Sequence, residues 1–242
     1  MRNLSAVEAV ILAGGLGTRL RSVVPDRPKV LAEILGRPFL TYLFDQVATA
    51  GIREVLLCTG YLGEQIERRF GNSYGRLRLR YSLEVNPQRT AGALRLALPL
   101  IGSEAALVLN GDSFCQADLG SFWAWHCARR SQGTLLLTEV ADTRHYGRVI
   151  VDEDGAVVRF AEKESEGRPG LINAGVYILT RSLLLSIPTA GPVSLEQEMF
   201  PAWTGRGLYG YQNKGPFLDI GTPDAFAGAE RFMQTCGRGP QY

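Results

Sequence analysis

Three glycines, a threonine and an arginine crowd into Gly14-Gly15-Leu16-Gly17-Thr18-Arg19-Leu20, and a lysine follows at Pro28-Lys29. Glycine carries no Cβ, so the backbone amides of Gly14, Gly15 and Gly17 can approach an anion closely. Arg19 and Lys29 bring the positive charge that neutralises a polyphosphate. The combination points to a nucleoside triphosphate. A P-loop would place lysine directly after its last glycine. A dinucleotide fingerprint would space its glycines as Gly-x-Gly-x-x-Gly, with an acidic residue about twenty positions on. Neither pattern is met: Glu33 has roughly the right distance but lies in Leu31-Ala-Glu-Ile-Leu35, not at the end of a second strand. For the loop alone, an ordinary βα turn eased by glycine is the plainer alternative.

Two carboxylates could complete such a site. Asn110-Gly111-Asp112 follows the apolar run Ala105 to Leu109, and ligands of open α/β sheets bind beyond the carboxyl ends of strands. Nucleoside triphosphates arrive with Mg²⁺, which takes one or two carboxylates plus phosphate oxygens and water. Asp112 is therefore one candidate metal ligand. Asp219, in Phe217-Leu-Asp-Ile-Gly-Thr-Pro223, also follows an apolar run and is the second. Plain turns would produce the same residues, with Thr222-Pro223 starting a last helix. Only two histidines are present. His126 sits among aromatics in Phe122-Trp-Ala-Trp-His126 that suit helix packing. With no plausible serine triad, hydrolase chemistry finds little support.

The elements that must position these residues alternate along the first half. Ala9 to Leu12 and Val55 to Thr59 read as buried strands. Phe39 to Ala50 carries apolar residues at helical spacing before Gly51, and Leu62 to Phe70 is an amphipathic helix stopped by Gly71. Leu77 to Leu83 reads as a half-exposed strand, Ala91 to Leu100 as a helix, and Ala105 to Leu109 as a strand buried on both faces. This rhythm predicts an α/β fold with a Rossmann-like, doubly wound, mostly parallel sheet. Thr134 to Val140 and Gly147 to Val151 read as antiparallel strands, with Asp152-Glu-Asp-Gly155 as a hairpin turn. Val157 to Phe160, Ile172 to Leu179, Leu208 to Tyr211 and Pro216 to Asp219 are further apolar runs, and Phe226 to Met233 reads as a closing helix. No linker divides the chain. One domain over residues 1–242 is expected, with a nucleotide half at about 7–133 and a smaller antiparallel acceptor half at about 134–230.

At 242 residues, with 45% hydrophobic and 21% charged side chains, the chain can bury an ordinary enzyme core without metals or disulfides. A net charge of +2 and the absence of a Lys/Arg block argue against a nucleic-acid surface. None of the four cysteines forms a Cys-x-x-Cys pair. No signal peptide opens the chain and no apolar run approaches about eighteen residues, so a cytoplasmic protein without membrane partners is expected.

Taken together, the glycine loop with Pro28-Lys29, Asn110-Gly111-Asp112, Phe160-Ala-Glu-Lys163, Asn173-Ala-Gly175 and Asp219-Ile-Gly-Thr-Pro223 resemble the sugar-1-phosphate nucleotidyltransferase family, in the family's order and over roughly residues 7–230. Tyr146-Gly147-x-Val149 and Ser194-Leu-Glu-Gln-Glu-Met-Phe-Pro201 strengthen the likeness to its heptose- and mannose-1-phosphate guanylyltransferases. The short acceptor half, with no C-terminal left-handed β-helix, is similar to the stand-alone members. The resemblance implies an NTP, with GTP expected, joined to a sugar 1-phosphate with release of pyrophosphate, for surface polysaccharide or glycoside synthesis. It implies nucleotide contacts from Leu12, Ala13, Gly14, Gly15, Gly17, Thr18, Arg19, Glu84, Arg89, Thr90, Ala91 and Gly111. Acceptor contacts would come from Asn110, Tyr146, Gly147, Glu162, Lys163, Asn173 and Ala174, with His145 beside that pocket or on a surface loop. Arg19 and Lys29 would be catalytic, and Asp112 and Asp219 would hold Mg²⁺. A homo-oligomer stays open. So does a silent regulatory subunit, which loss of Arg19, Lys29, Asp112 or Asp219 would mark; all four are present. One departure stands out: Arg89 occupies the place of a family glycine in Gln88-Arg-Thr-Ala-Gly92. Its fork could donate to the O6 and N7 acceptors of guanine, or face solvent.

Overall fold

In the computed structural model, residues 4–162 and 167–236 are described. The chain opens with β1 (Glu8–Ala13) and, after the glycine loop, a small hairpin of β2 (Glu33–Ile34) and β3 (Arg37–Pro38). It continues through α1 (Leu40–Thr49), β4 (Glu54–Thr59), α2 (Gly63–Phe70), β5 (Ser73–Tyr74), β6 (Leu77–Leu83), α3 (Arg89–Ala97) and β7 (Ala105–Asn110). Then come β8 (Ser113–Cys115), α4 (Leu119–Arg129), β9 (Gly133–Val140), β10 (Gly147–Val151), β11 (Val157–Glu162) and the long β12 (Gly170–Thr180). The chain closes with α5 (Arg181–Leu185), a π-helical turn at Leu195–Met199 running into α6 (Phe200–Trp203), β13 (Leu208–Asn213), β14 (Phe217–Asp219), α7 (Pro223–Ala227) and α8 (Ala229–Thr235).

One ten-stranded sheet forms the spine, running β11-β10-β12-β7-β1-β4-β6-β5, with β9 joined to β12 and β13 joined to β9. β6, β4, β1 and β7 are mutually parallel. The chain winds outward from β1 through β4 to β6, then returns to place β7 on the other side of β1. That reversal opens a crevice between β1 and β7 at their carboxyl ends. Alternation along these strands feeds two cores. Ala9, Ile11, Val55, Leu57, Leu107 and Leu109 face one side, against α1, α2, α4 and α8. Val10, Leu56, Cys58, Ala106 and Val108 face the other, against α3, α5 and α6.

The antiparallel strands of the second half continue this sheet. β12 pairs with β7 through Val176–Thr180 and meets β10 at Ile172, leaving Asn173–Gly175 between the two on that edge. Its other edge carries β9, with a register shift between Asn173 and Tyr177. The predicted hairpin turn is present, with Gly155 at φ +82° between β10 and β11. The expected single closing helix is instead two, because Gly228, a poor helix former, separates α7 from α8. The sequence reading also assigns no element between 181 and 203. The helices there are short and punctuated by Pro188, Pro192 and Pro201, so no periodicity builds up. Among the described residues no helix is long and apolar enough to cross a membrane.

Candidate active site

The glycine loop leaves β1 over the crevice, and its glycines have distinct reasons to be glycine. Gly17 adopts φ +60°. A Cβ on Gly14 would stand 1.8 Å from Glu84 Oε1, so the loop lies directly on that carboxylate. Glu84 in turn accepts the Gln88 amide at 2.7 Å. Burial pushes its carboxyl above the ordinary range, and the Gln88 bond partly offsets this. Beyond the loop, Pro28 leads into a single 3₁₀ turn, Lys29–Leu31. The buried Val30 and Leu31 anchor that turn and fix Lys29 beside the crevice.

Asp112 and Asp219, far apart in sequence, are joined by β8 and β14. Those strands pair antiparallel with Asp219 opposite Ser113, and the Ile220 amide donates to the Asp112 carbonyl at 2.9 Å. The Lys29 ammonium forms an ion pair with Asp112 Oδ2. Asp219 Oδ1 accepts the Gly221 amide at 2.5 Å. A Cβ on Gly221 would come 3.3 Å from Arg19 Nη2, which sets that guanidinium beside Asp219. Burial raises the Asp219 carboxyl above its usual range and the Asp112 charge adds to this, while Lys29 and Arg19 pull it down. Two carboxylates that sense each other across a cationic frame suit a hard divalent cation. No cluster of three or more potential ligand side chains gathers among the described residues. A Mg²⁺ ion needs no such cluster, because phosphate oxygens and water complete its shell.

On the acceptor side, Asn173 Nδ2 donates to the Tyr177 hydroxyl at 2.9 Å and its Oδ1 accepts the Gly175 amide at 2.9 Å. Tyr177 is fully buried, and that burial pushes its phenol well above the usual value. The side-chain oxygens of Asn110 and Ser113 are buried without a hydrogen-bond partner among the described residues. Tyr146 packs edge-on against Phe217 with ring centroids 5.5 Å apart, forming one wall.

A cavity of about 400 Å³ unites these parts. Of the predicted residues, Leu12, Ala13, Gly14, Gly15, Gly17, Arg19, Lys29, Glu84, Arg89 and Thr90 line it, together with Asn110, Asp112, Tyr146, Gly147, Asn173 and Asp219. Thr18 is exposed and stands outside the lining, while Ala91 and Ala174 are fully buried behind it. Gly111 also lies behind the wall. Its amide donates to the Leu12 carbonyl at 2.9 Å, and a Cβ there would stand 2.6 Å from the same oxygen, so it lets β7 close on β1. Lys163 and the Glu162 side chain lie outside the described residues. The sequence reading missed Leu16, Val30, Cys58, Pro87, Ala93 and Glu196, which also line the cavity, and His145 lines it too. Glu196 alone carried a signal, its place in Ser194–Pro201. Thr90 donates to it at 2.7 Å and accepts the Leu195 amide at 2.8 Å.

Arg89 opens α3 at φ +60°, the left-handed region that disfavours a bulky residue. Its guanidinium pairs with Glu198 at 3.2 Å and also donates to Gln197.

This geometry coincides with a family-wide pattern: residues 8–235 match the model of the family described as nucleotidyl transferase. The chain belongs to the nucleotidyl transferase family. Among its curated relatives is D-glycero-alpha-D-manno-heptose 1-phosphate guanylyltransferase of Aneurinibacillus thermoaerophilus, 37% identical over 94% of this chain and 99% of that one. Mannose-1-phosphate guanylyltransferase of Mycobacterium tuberculosis is 38% identical over 91% of this chain, which spans 62% of that relative's length. Among solved structures, HddC from Yersinia pseudotuberculosis superposes with a TM-score of 0.84 at 31% identity, covering 94% of this chain and 99% of HddC. A second HddC structure, complexed with GMP-PN, gives a TM-score of 0.82.

Proposed function

We propose that this nucleotidyl transferase is a guanylyltransferase that joins GTP to a manno-configured sugar 1-phosphate, D-glycero-α-D-manno-heptose 1-phosphate first, giving a GDP-sugar and pyrophosphate. The observation that carries the reading is the convergence of Arg19, Lys29, Asp112 and Asp219 on one cavity at the switch point of the sheet. The relatives that act on heptose 1-phosphate and on mannose 1-phosphate are 37% and 38% identical to this chain, and both sugars have the manno configuration that the proposal names.

A sugar phosphate is already ionised at neutral pH, so its oxygen needs alignment and no general base. It attacks the α-phosphorus, and the bond from that phosphorus to the oxygen of the β,γ-pyrophosphate breaks in line. The Gly14–Gly17 loop cradles the triphosphate. Arg19 holds the leaving pyrophosphate, and Lys29 stabilises charge at the α-phosphate. Glu84 and Thr90 face the base. Asn173 and Gly147 meet the sugar, and Lys163, with Glu162, holds the acceptor. Asp112 and Asp219 would hold Mg²⁺, which would offset the negative charge of the phosphates as a Lewis acid.

Pyrophosphate release, with five NTPs crossed against heptose, mannose, glucose and N-acetylglucosamine 1-phosphates, tests this. Release is expected for GTP with heptose 1-phosphate, lost with a chelator and restored by Mg²⁺. Asp112→Ala and Lys29→Ala should each lower kcat by about 10²–10³. Release with another pair would replace the base and sugar assignments. A protein that binds nucleotide but releases pyrophosphate with no pair would be a silent regulatory subunit.

A further inference from the structure

We propose that Arg89 is a switched specificity residue: Glu198 and Gln197 hold its guanidinium in the nucleotide-free protein, and the O6/N7 edge of guanine takes it over when GTP binds. The inference rests on the reading above in one respect, that the nucleotide in the cavity is a guanosine triphosphate.

Three observations carry it. Arg89 lines the same cavity as Glu84 and Thr90, while its guanidinium is held at the rim by Glu198 and Gln197, which do not line it. It holds a backbone conformation, φ +60°, that glycine would adopt without strain, and strain of this kind is retained where a side chain must be aimed. Its partners form an exchangeable set. The Arg89 and Glu198 side chains are 43% and 46% exposed, so water competes for both ends of the pair. Glu198 also accepts the Ser194 amide at 3.0 Å and keeps that bond when the arginine leaves. The segment itself does not depend on Arg89. Val193 accepts the Ala91 and Gly92 amides at 2.9 and 3.0 Å, and Thr90 bonds Glu196. Releasing the guanidinium therefore leaves the wall standing.

The chemistry then selects a 6-oxopurine. Guanine presents two adjacent acceptors to a planar fork with two parallel donors, whereas adenine presents an amino donor at the same place. Hypoxanthine keeps both acceptors and lacks only the 2-amino group, so ITP should behave as GTP does toward this residue.

Equilibrium binding of GTP, ITP and ATP to the full chain, wild type against Arg89→Gly, Arg89→Lys and Glu198→Gln, tests the switch without requiring transfer. The glycine variant relieves the backbone and should fold. Lysine keeps the charge and loses the fork. Both should weaken GTP and ITP together by about tenfold or more and leave ATP nearly unchanged. Glu198→Gln removes the competing charge and should tighten GTP severalfold. If Arg89→Gly and Arg89→Lys retain the wild-type preference, if ITP is unaffected, or if Glu198→Gln shifts GTP binding in the same direction as Arg89→Gly, Arg89 is a structural tie and the proposal falls. A wild type that binds ATP as well as GTP also overturns it. GTP preference without pyrophosphate release would overturn only the transferase reading.

Discussion

Individual side chains at this site divide into those whose type announced their place and those that only their neighbours explain. Lys29, Asp112 and Asp219 stood out in the sequence because the lysine follows the glycine loop and both aspartates follow apolar runs, where ligands of open α/β sheets bind. The ties between them did not, since the Lys29–Asp112 ion pair closes across 83 residues of sequence. Arg89 was legible only as an anomaly; its positive φ and its Glu198 partner are properties of the folded backbone. His126 fits the packing role its aromatic neighbours suggested. It is buried, its Nδ1 lies 2.7 Å from Thr134 Oγ1, and burial pushes its imidazole down to about 4. The unfolded chain takes up this proton near pH 6.5 while the native one refuses it. Stability should therefore fall between about pH 6.5 and 4, by roughly 3 kcal/mol from this residue at full effect. Denaturant unfolding of wild type and His126→Gln across that range checks it. Parallel profiles would remove the histidine as the source.

Elements, more than residues, decide whether the site exists. β8 and β14 hold Asp112 against Asp219, yet each spans three residues, too few for any periodicity to show. The middle of β12 is the other such feature. Gly175, at φ +73°, sits where β7 gives way to β10, and a Cβ there would stand 2.3 Å from Ser113 Oγ. Gly175→Ala should cost roughly 2–3 kcal/mol, from backbone strain together with overpacking, and displace Asn173. Gly15 offers the contrast: a Cβ there meets nothing within 4 Å. Gly15→Ala should keep wild-type stability in thermal melts yet weaken GTP binding, because the added methyl obstructs phosphate approach. Equal losses of stability in both variants would mean that the loop glycine is structural.

Across the whole molecule, one sheet carries both halves of the site and separates two cores. Phe200 is fully buried in the second core, with ring centroids 5.1 Å from Phe160, 5.0 Å from Tyr177 and 6.0 Å from Trp203. Because Tyr177 also bonds Asn173, this core supports the acceptor side directly. Phe200→Ala should cost about 3–5 kcal/mol and lower the melting midpoint by roughly 10 °C. Far-UV circular dichroism and tryptophan fluorescence should still trace one transition, since β12 couples the halves; two separated transitions would show that they fold independently. The sequence by itself determined the parallel βα rhythm, the glycine loop and the charged residues that face phosphate, because hydrophobic period and glycine's missing Cβ act over a few residues at a time. Only the tertiary structure decided which carboxylates meet, where β12 splits its edge, and that Arg89 is held by Glu198, because those contacts depend on strand register and chain crossing over a hundred residues.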